Sequence, residues 1–254
     1  MSDIGRPEST IRAALVTGAS SGIGRAIAAM LAARHLDVWI VGRDTARLAA
    51  TATEVRAAGG EPHVVRADIA HDAGIETVLR TVHRETDRLD VVVHAAGVAY
   101  ATSATAEADE GAFDAHFAVN TRAPMRITAG VLRTVQRAHG LVVVVNSVAA
   151  LRTAPGFATY ASSKSAVKAW ADALREEVAG RGVRVCSVYP GQVATDMQAA
   201  IYAARGEAYH PERLLQVGDV AELVAFAFDH PTVDITDLRV RSASGGYAAH
   251  TVID

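Results

Sequence analysis

Short apolar runs alternate along this chain with longer, alanine-rich stretches of helical length. Runs such as Val91–Val93 and Leu141–Val145 are apolar at every position, which is typical of parallel strands covered by helices on both faces. The repeated β-α-β order predicts right-handed crossovers and a doubly wound, parallel α/β sheet. Strands are predicted at Ala13–Thr17, Val38–Val41, Pro62–Arg66, Val91–His94, Leu141–Asn146, Val183–Val188 and Ile235–Val240. Helices are predicted at Gly22–Arg34, Thr45–Ala58, Ala73–Thr86, from about Glu107 to Arg137, Phe157–Gly180 and Asp219–Asp229.

The chain has no long linker, low-complexity tract or internal repeat, which favours a single domain over residues 11–254. Residues 1–10 are polar and are predicted to form a flexible N-terminus. The segment 192–217 follows a predicted strand, contains Pro211 and lacks a clean period. It is either a mobile flap or an irregular helical excursion. We favour a substrate flap, because long insertions are usually functional and sites in such sheets lie beyond the carboxyl ends of the strands.

Composition narrows the class of protein. Of the 254 residues, 50% are hydrophobic and 21% are charged, which fits a soluble globular protein. The net charge of −3 lacks the basic footprint of a nucleic-acid binder. The single cysteine, Cys186, permits no disulfide and no cysteine-rich zinc site, so we predict a buried, inert thiol and no metal. With no apolar signal core and no apolar run of about 20 residues, we expect a cytoplasmic protein without membrane partners.

The first predicted strand runs into a glycine-rich turn, Thr17–Gly24, which opens the first helix. Glycines let the backbone turn tightly and let a pyrophosphate approach the helix N-terminus, where free N–H groups attract anions. The spacing is Gly-x-x-x-Gly-x-Gly, which differs from the commonest dinucleotide fingerprint. The turn predicts a Rossmann-type dinucleotide site at Gly18, Ser20, Ser21, Gly22, Ile23 and Gly24.

The residues after the second predicted strand bear on the choice of dinucleotide. Asp44 could bind the ribose hydroxyls, which would imply NAD. Alternatively, Asp44 is the N-cap of the next helix and Arg43 faces a 2′-phosphate, which would imply NADP. Because Asp44 directly precedes a helical run, we favour the cap and NADP(H). Asp68, after the third strand, either reaches the adenine or caps a turn.

Tyr160 and Lys164 are four residues apart on a predicted helix, so they share one face. An ammonium one turn away is expected to lower the pKa of the phenol from its ordinary value near 10. The pair is therefore a candidate acid/base device near neutral pH. Ser147 precedes the tyrosine by thirteen residues and can direct a second donor at the same substrate oxygen.

Taken together, these residues resemble the short-chain dehydrogenase/reductase family over nearly the whole chain. The resemblance rests on the Thr17–Gly24 turn, Asp68-Ile69, Ala96-Gly97, Asn120, Ser147, Tyr160-x-x-x-Lys164 and Pro190-Gly191-x-Val193-x-Thr195. It implies that Tyr160 is the general acid/base, and that Lys164 lowers its pKa and holds the nicotinamide ribose. Ser147 would bind the substrate oxygen, and Asn120 would anchor a proton-relay water. The remaining residues implied to contact the cofactor are Asp68, Ile69, Ala96, Gly97, Pro190, Gly191, Val193 and Thr195.

The implied activity is hydride transfer between NADP(H) and a small-molecule carbonyl or alcohol, by a homo-oligomer that is a tetramer or a dimer. The alternative is a catalytically inactive dinucleotide sensor or structural protein. The presence of both Tyr160 and Lys164 favours the enzyme. The substrate pocket is expected to be walled by Val98–Tyr100, Ala149–Arg152, Phe157, Gln192 and the segment 196–215.

The sequence departs from the family pattern in three places. His94 and Ala95 stand where two asparagines are common, and we expect His94 to take over a structural role in tying neighbouring strands. Ser21 replaces a basic residue of many NADP-dependent members, which leaves Arg43 as the main cofactor signal. The segment Val233–Arg241 resembles a subgroup of NADP-dependent 3-hydroxy acid and serine dehydrogenases and clavulanic-type aldehyde reductases.

Overall fold

The computed structural model describes residues 12–100 and 110–243. Its sheet is fully parallel, with strand order β3-β2-β1-β4-β5-β6-β7, and confirms the predicted doubly wound α/β fold. The strands are β1 Ala13–Thr17, β2 Asp37–Gly42, β3 Pro62–Arg66, β4 Val91–His94, β5 Leu141–Val145, β6 Arg184–Pro190 and β7 Asp237–Val240. The predicted flexible N-terminus, residues 1–10, lies outside the described residues.

The described helices cover both faces of the sheet. They are α1 Gly22–Ala32, α2 Thr45–Ala57, α3 Asp72–Glu85, α4 Glu110–Phe117, α5 Ala123–Arg137, α6 Ala158–Val178, α7 Asp196–Arg205 and α8 Val217–Asp229. Within the described part of the chain, no helix has the length and apolar character needed to cross a membrane.

The side chains of the apolar strands contribute to two separate hydrophobic cores, one on each face of the sheet. In β5, Leu141 and Val143 face the helices α1, α2 and α8, whereas Val142 and Val144 face α3, α5 and α6. Alternate side chains of a strand point to opposite faces of a sheet. A strand covered on both sides must therefore be apolar throughout, which explains the continuous runs in the sequence.

The predicted long helix from about Glu107 to Arg137 is wrong in its middle. Glu107 itself lies outside the described residues, and from Ala118 to Arg122 the chain forms a π-helical turn between α4 and α5. Pro124 explains the interruption, because it lacks the N–H that a regular α-helix would direct to the carbonyl of Asn120. The turn instead uses a wider bond from Ala123 N–H to Ala118 O.

Strand order positions the site. β1 pairs with β2 on one side and with β4 on the other, so the connections leaving their carboxyl ends diverge and open a crevice there. At this crevice Thr17 connects the end of β1 to β4 and to the loop after it. Its Oγ1 donates to Val93 O at 3.4 Å and accepts from Ala96 N at 3.3 Å.

The segment after β6 forms an ordered excursion that returns to its starting point. Ala194 N–H donates to Leu215 O at 2.8 Å, and Leu215 N–H donates to Gln192 O at 3.1 Å. Between these tied ends lie α7 and a short 3-10 turn, Pro211–Arg213. The excursion therefore has a fixed base beside the carboxyl end of β6.

Candidate active site

A first cavity of about 240 Å³, here called the glycine cavity, lies at the carboxyl ends of β1, β2 and β4. Most of the residues predicted to bind the dinucleotide line it, namely Gly18, Ser20, Ser21, Gly22, Ile23, Gly24, Arg43, Asp68, Ile69, Ala96, Gly97 and Thr195. The crevice where the strand order reverses is the usual ligand position in such folds.

The N-terminus of α1 points into the glycine cavity without a side-chain cap. Ser21 occupies the N-cap position, its side chain makes no capping bond, and the first turn contains no acidic residue. The N–H groups of that turn are therefore suited to an anion. Gly18 has φ of 69°, and a Cβ there would come within 2.6 Å of Ala96 backbone atoms, so only glycine fits.

At the far end of the glycine cavity, Asp44 is the N-cap of α2 and its carboxylate accepts a hydrogen bond from Arg47 N at 3.0 Å. This confirms the cap that the sequence favoured. Arg43 is exposed over 69% of its side chain and lies 3.8 Å from the carboxylate of Asp68. Asp68 also accepts from Ala70 N at 3.0 Å, so it both closes a turn and faces the cavity.

A second cavity of about 300 Å³, here called the tyrosine cavity, adjoins the first and shares Ile23, Thr195 and Met197 with it. The predicted residues Ser147, Tyr160, Pro190, Gly191 and Val193 line it. So do Ala99, Ala149, Arg152, Phe157, Gln192, Met197, Gln198, Ile201 and Arg205, which include members of each predicted pocket wall. Ser147 lies two residues after β5 and caps the 3-10 turn Val148–Ala150, with its Oγ accepting from Ala149 N at 3.1 Å.

The pKa of Tyr160 shifts in the opposite direction from the sequence expectation. Burial raises the pKa of this phenol, and a side-chain hydrogen bond with Ser147 only partly opposes the rise. Lys164 does not counter it, because its buried ammonium is directed at Val145 O, 3.0 Å away. Burial lowers the pKa of Lys164 itself to about 8. The protein atoms alone therefore favour a protonated Tyr160.

Asn120 connects the loop after β4 to α6. Its Oδ1 accepts from Val98 N at 2.9 Å, and its Nδ2 donates to Val98 O and to Ser163 Oγ, each at 3.0 Å. Ser163 in turn donates to the carbonyl of Tyr160 at 2.7 Å. The Asn120 side chain thus links the loop after β4 to Ser163, which is bonded to the backbone of Tyr160. Pro124, four residues further along the chain, has no N–H to donate to the main-chain carbonyl of Asn120.

His116 is a further residue of the site that the sequence did not predict. This buried imidazole lies edge-on to Tyr160, with ring centroids 5.9 Å apart, and its Nε2 accepts from Tyr100 N at 3.3 Å. Burial and then the charge of Lys164 lower its pKa, which favours the neutral ring. Nothing in its local sequence signals this contact, which arises only when α4 packs against α6.

His94 has the structural role that was expected, but with a different partner. Its Nε2 lies 2.7 Å from Thr128 Oγ1, so it ties the end of β4 to α5 and not to a neighbouring strand. Burial lowers its pKa to about 3, so the ring stays neutral at neutral pH. Cys186 is buried as predicted, and burial raises the pKa of its thiol to about 12, which makes it inert.

The fold and the two adjoining cavities define the class, a doubly wound α/β protein of the Rossmann type. Within that class, the chain belongs to the short-chain dehydrogenase family, because the family model described as short chain dehydrogenase matches residues 12–206. This confirms the resemblance seen in the sequence. The subgroup suggested by Val233–Arg241 stays a prediction.

Related proteins agree with this assignment over most of their length. An uncharacterized short-chain type dehydrogenase/reductase of Sinorhizobium fredii is 32% identical over 239 residues, 92% of each chain. The Thermococcus sibiricus alcohol dehydrogenase structure, complexed with 5-hydroxy-NADP, is 27% identical, with a TM-score of 0.84 over 93% of this chain and 98% of that one.

Two further solved structures differ in their dinucleotide. A short chain dehydrogenase from Burkholderia cenocepacia in complex with NADP is 30% identical, with a TM-score of 0.80 over 90% of this chain and 96% of that one. A 3-ketoacyl-(acyl-carrier-protein) reductase from Brucella melitensis, complexed with NADH, is 26% identical, with a TM-score of 0.80 and the same coverage.

Proposed function

We propose that this protein transfers a hydride between NADP(H) and a carbonyl or alcohol substrate. The observation that carries the proposal is the junction of the two cavities. Ser147 and Tyr160 both line the tyrosine cavity, and this cavity shares Ile23, Thr195 and Met197 with the glycine cavity. A substrate oxygen at Ser147 and Tyr160 would then lie beside a dinucleotide held in the glycine cavity.

The residues present fit a dinucleotide. The uncapped N-terminus of α1 suits the pyrophosphate, and the close approach of Gly18 to Ala96 leaves that cradle free of side chains. Pro190, Gly191, Val193 and Thr195 would hold the nicotinamide end, because they border the tyrosine cavity. When bound, NADP(H) supplies or accepts the hydride.

In the reducing direction, Tyr160 gives its phenolic proton to the substrate oxygen as the hydride reaches the carbonyl carbon. The C=O π pair becomes the new O–H bond, and Tyr160 is left as phenolate. Ser147 donates a hydrogen bond to the same oxygen and stabilises the charge that develops there. The raised pKa of Tyr160 suits this direction, because the phenol is protonated and ready to donate at neutral pH.

Lys164 stabilises the phenolate after the proton leaves, when the negative charge is present to attract its ammonium. Its Nζ would lie 3.7 Å from a Cβ built on Gly97, and Gly97 lines the glycine cavity, so a nicotinamide ribose bound over Gly97 would come near the ammonium. Reprotonation would pass from solvent through a water on the Asn120 main chain and Lys164 to Tyr160. Pro124 supports this relay, since it has no N–H to donate to that carbonyl.

The preference for NADP(H) is supported by the end of β2. Asp44 is occupied as a helix cap and Gly42 carries no carboxylate, so no acidic side chain there is directed at a ribose 2′-hydroxyl. Arg43 is exposed at the rim of the glycine cavity, where a guanidinium suits a 2′-phosphate.

The segment 192–217 is proposed as the substrate flap of a single-domain enzyme. Its helix α7 supplies Met197, Gln198, Ile201 and Arg205 to the tyrosine cavity, while its base is tied to the end of β6. We further propose a homo-oligomer. Met125 on α5 and Phe113 on α4 are 40% and 44% exposed, and such apolar surface favours association. Light scattering that gives the mass of a monomer would reject this assembly.

The variant Tyr160→Phe tests the chemistry. It removes the proton donor and leaves the ring packing, so we expect turnover with NADPH and a panel of aldehydes and ketones to fall by about a hundredfold or more, the scale of general acid catalysis. Binding of NADPH, followed by fluorescence titration, is expected to be unchanged. Near-normal turnover in this variant would overturn the role of Tyr160. Tight NADPH binding by wild-type protein without turnover of any substrate would favour a sensor.

A further inference from the structure

The charged residues of the tyrosine cavity are of one sign. Among the described residues that line it, Arg152 and Arg205 are the charged ones, and no aspartate or glutamate is present. The remaining described lining is apolar or carries uncharged hydroxyl and amide groups. A cavity of this composition favours an apolar ligand that bears a negative charge.

Arg205 is held in a defined place. It lies in the last turn of α7, and its Cζ is 4.6 Å from the centroid of the Phe157 ring, across the mouth of the cavity. Within the described residues it forms no ion pair. An arginine that stacks on an aromatic ring uses the face of the guanidinium and leaves its N–H edge able to bind a carboxylate through two parallel hydrogen bonds.

The spacing between this edge and the reacting group suits a small molecule. The Phe157 and Tyr160 ring centroids are 6.4 Å apart, so Arg205 Cζ lies within about 11 Å of the Tyr160 ring centroid. A substrate that places its carbonyl at Tyr160 and an anionic group at its other end can therefore contact both residues. Arg152, after the 3-10 turn that begins at Ser147, borders the same cavity.

We infer that the substrate is a carboxylated carbonyl compound or alcohol, whose carboxylate binds Arg205 at the end of the cavity remote from the hydride. The inference rests on the proposed function, since it takes Tyr160 as the site of the reacting oxygen. It identifies α7 as the element that selects for charge. The stacking on Phe157 orients the guanidinium before the substrate arrives, which reduces the entropy lost on binding.

The test uses two aldehydes, 4-carboxybenzaldehyde and its methyl ester, each with NADPH; the ester lacks the charge at the remote end, and comparing variants cancels the difference in the intrinsic reactivity of the two aldehydes. Wild-type protein is expected to have the higher kcat/KM for the acid. In Arg205→Ala, kcat/KM for the acid should fall about ten- to a hundredfold further than kcat/KM for the ester, the scale of a lost hydrogen bond to a charged group. The KM for NADPH should stay the same.

Two control variants sharpen the result. Arg56→Ala removes an exposed arginine of α2 that lines neither cavity, and should leave the acid-to-ester ratio unchanged. Arg205→Lys keeps the charge but loses the planar fork, and should recover part of the ratio. An equal loss for acid and ester in Arg205→Ala would overturn the inference, as would a KM for NADPH that rises as much as the KM for the acid.

A binding measurement separates this inference from the proposed function. Terephthalate carries the same carboxylate but no reducible carbonyl, and its binding can be followed by titration calorimetry in the presence of NADP. Weaker binding to Arg205→Ala than to wild type supports the carboxylate site even if neither aldehyde is reduced. Equal binding to the two proteins rejects the site, whatever the turnover of the aldehydes.

Discussion

Burial determines the protonation of the individual residues in the candidate site. It lowers the pKa of Lys164 to about 8 and raises that of Tyr160, so each group is shifted toward its uncharged form. The ammonium retains one hydrogen bond, to Val145 O, in place of the water that it gave up on folding. We infer that Lys164 is kept for catalysis at a cost in stability, as is common in active sites.

The variant Lys164→Met separates the contribution of Lys164 to catalysis from its cost in stability. The shift from 10.5 to about 8 corresponds to a penalty of about 3 kcal/mol at pH 7, and the lost hydrogen bond offsets about 1 kcal/mol of it. The free energy of unfolding, from urea titrations, should therefore rise by about 2 kcal/mol while turnover falls. Between pH 8 and 10.5 the unfolded chain binds more protons at Lys164, so the wild type gains stability and the difference narrows.

A surface lysine of the same helix provides the control for that measurement. Lys168 forms a hydrogen-bonded ion pair with Asp172 at 2.6 Å, so Lys168→Met should lower stability slightly and give no gain at pH 7. If Lys164→Met is no more stable than wild type at pH 7, then burial of the Lys164 ammonium does not destabilise the folded protein.

Single residues differ in how far the sequence could predict them. The cap at Asp44 was predictable, because an aspartate before a helical run is a local signal that needs no tertiary contact. The raised pKa of Tyr160 was not, because it depends on how deeply packing buries the phenol and on where Lys164 points. His116 could not be identified for the same reason, since its contact with Tyr160 joins two helices.

At the scale of elements, the period of the apolar positions predicted the strands and most helices, but it did not predict the π-helical turn. One extra residue in a turn barely alters the spacing of apolar positions, so the segment from Glu110 to Arg137 reads as one helix. Pro124 was the available signal, because proline removes a helical hydrogen bond. The turn matters for the site because it contains Asn120, whose side chain forms hydrogen bonds with Val98 and Ser163.

Helix α7 depends on the glycine that ends it. Gly206 has φ of 67° with no atom near a Cβ built on it, so strain in Gly206→Ala comes from the backbone alone. We expect this variant to destabilise α7 by about 1 kcal/mol and to speed amide hydrogen exchange there. Gly218→Ala is the matched control, since its Cβ also meets open space but its position in α8 is helical, and it should stabilise by about 0.5 kcal/mol.

These two variants also test the proposed flap. If α7 closes over the substrate, Gly206→Ala should raise the KM for the carbonyl substrate, whereas Gly218→Ala should leave it unchanged. Unchanged exchange rates in α7 together with an unchanged KM would show that Gly206 affects neither the stability of α7 nor substrate binding by the flap.

At the scale of the whole molecule, cofactor binding and global stability are linked. A ligand that binds only the folded state stabilises it by an amount that grows with its concentration relative to Kd. The glycine cavity is lined by the end of β2, by residues that follow β1, β3 and β4, and by residues of the flap, so a dinucleotide there would contact several separate segments of the chain. Thermal denaturation with added cofactor therefore reports on the choice between NADP and NAD without requiring a known substrate.

We expect NADPH to raise the Tm of wild-type protein more than NADH at the same concentration, because we propose that Arg43, at the rim of the glycine cavity, binds the 2′-phosphate. Arg43→Ala should weaken NADPH binding about tenfold, a loss of about 1.4 kcal/mol, and remove most of the difference between the cofactors. Without cofactor its Tm should barely change, since the ion pair with Asp68 is exposed and 3.8 Å long. Arg56→Ala, on the outer surface of α2, should behave as wild type. A wild-type protein that NADH stabilises as strongly as NADPH would contradict the NADP preference and the proposed role of Arg43.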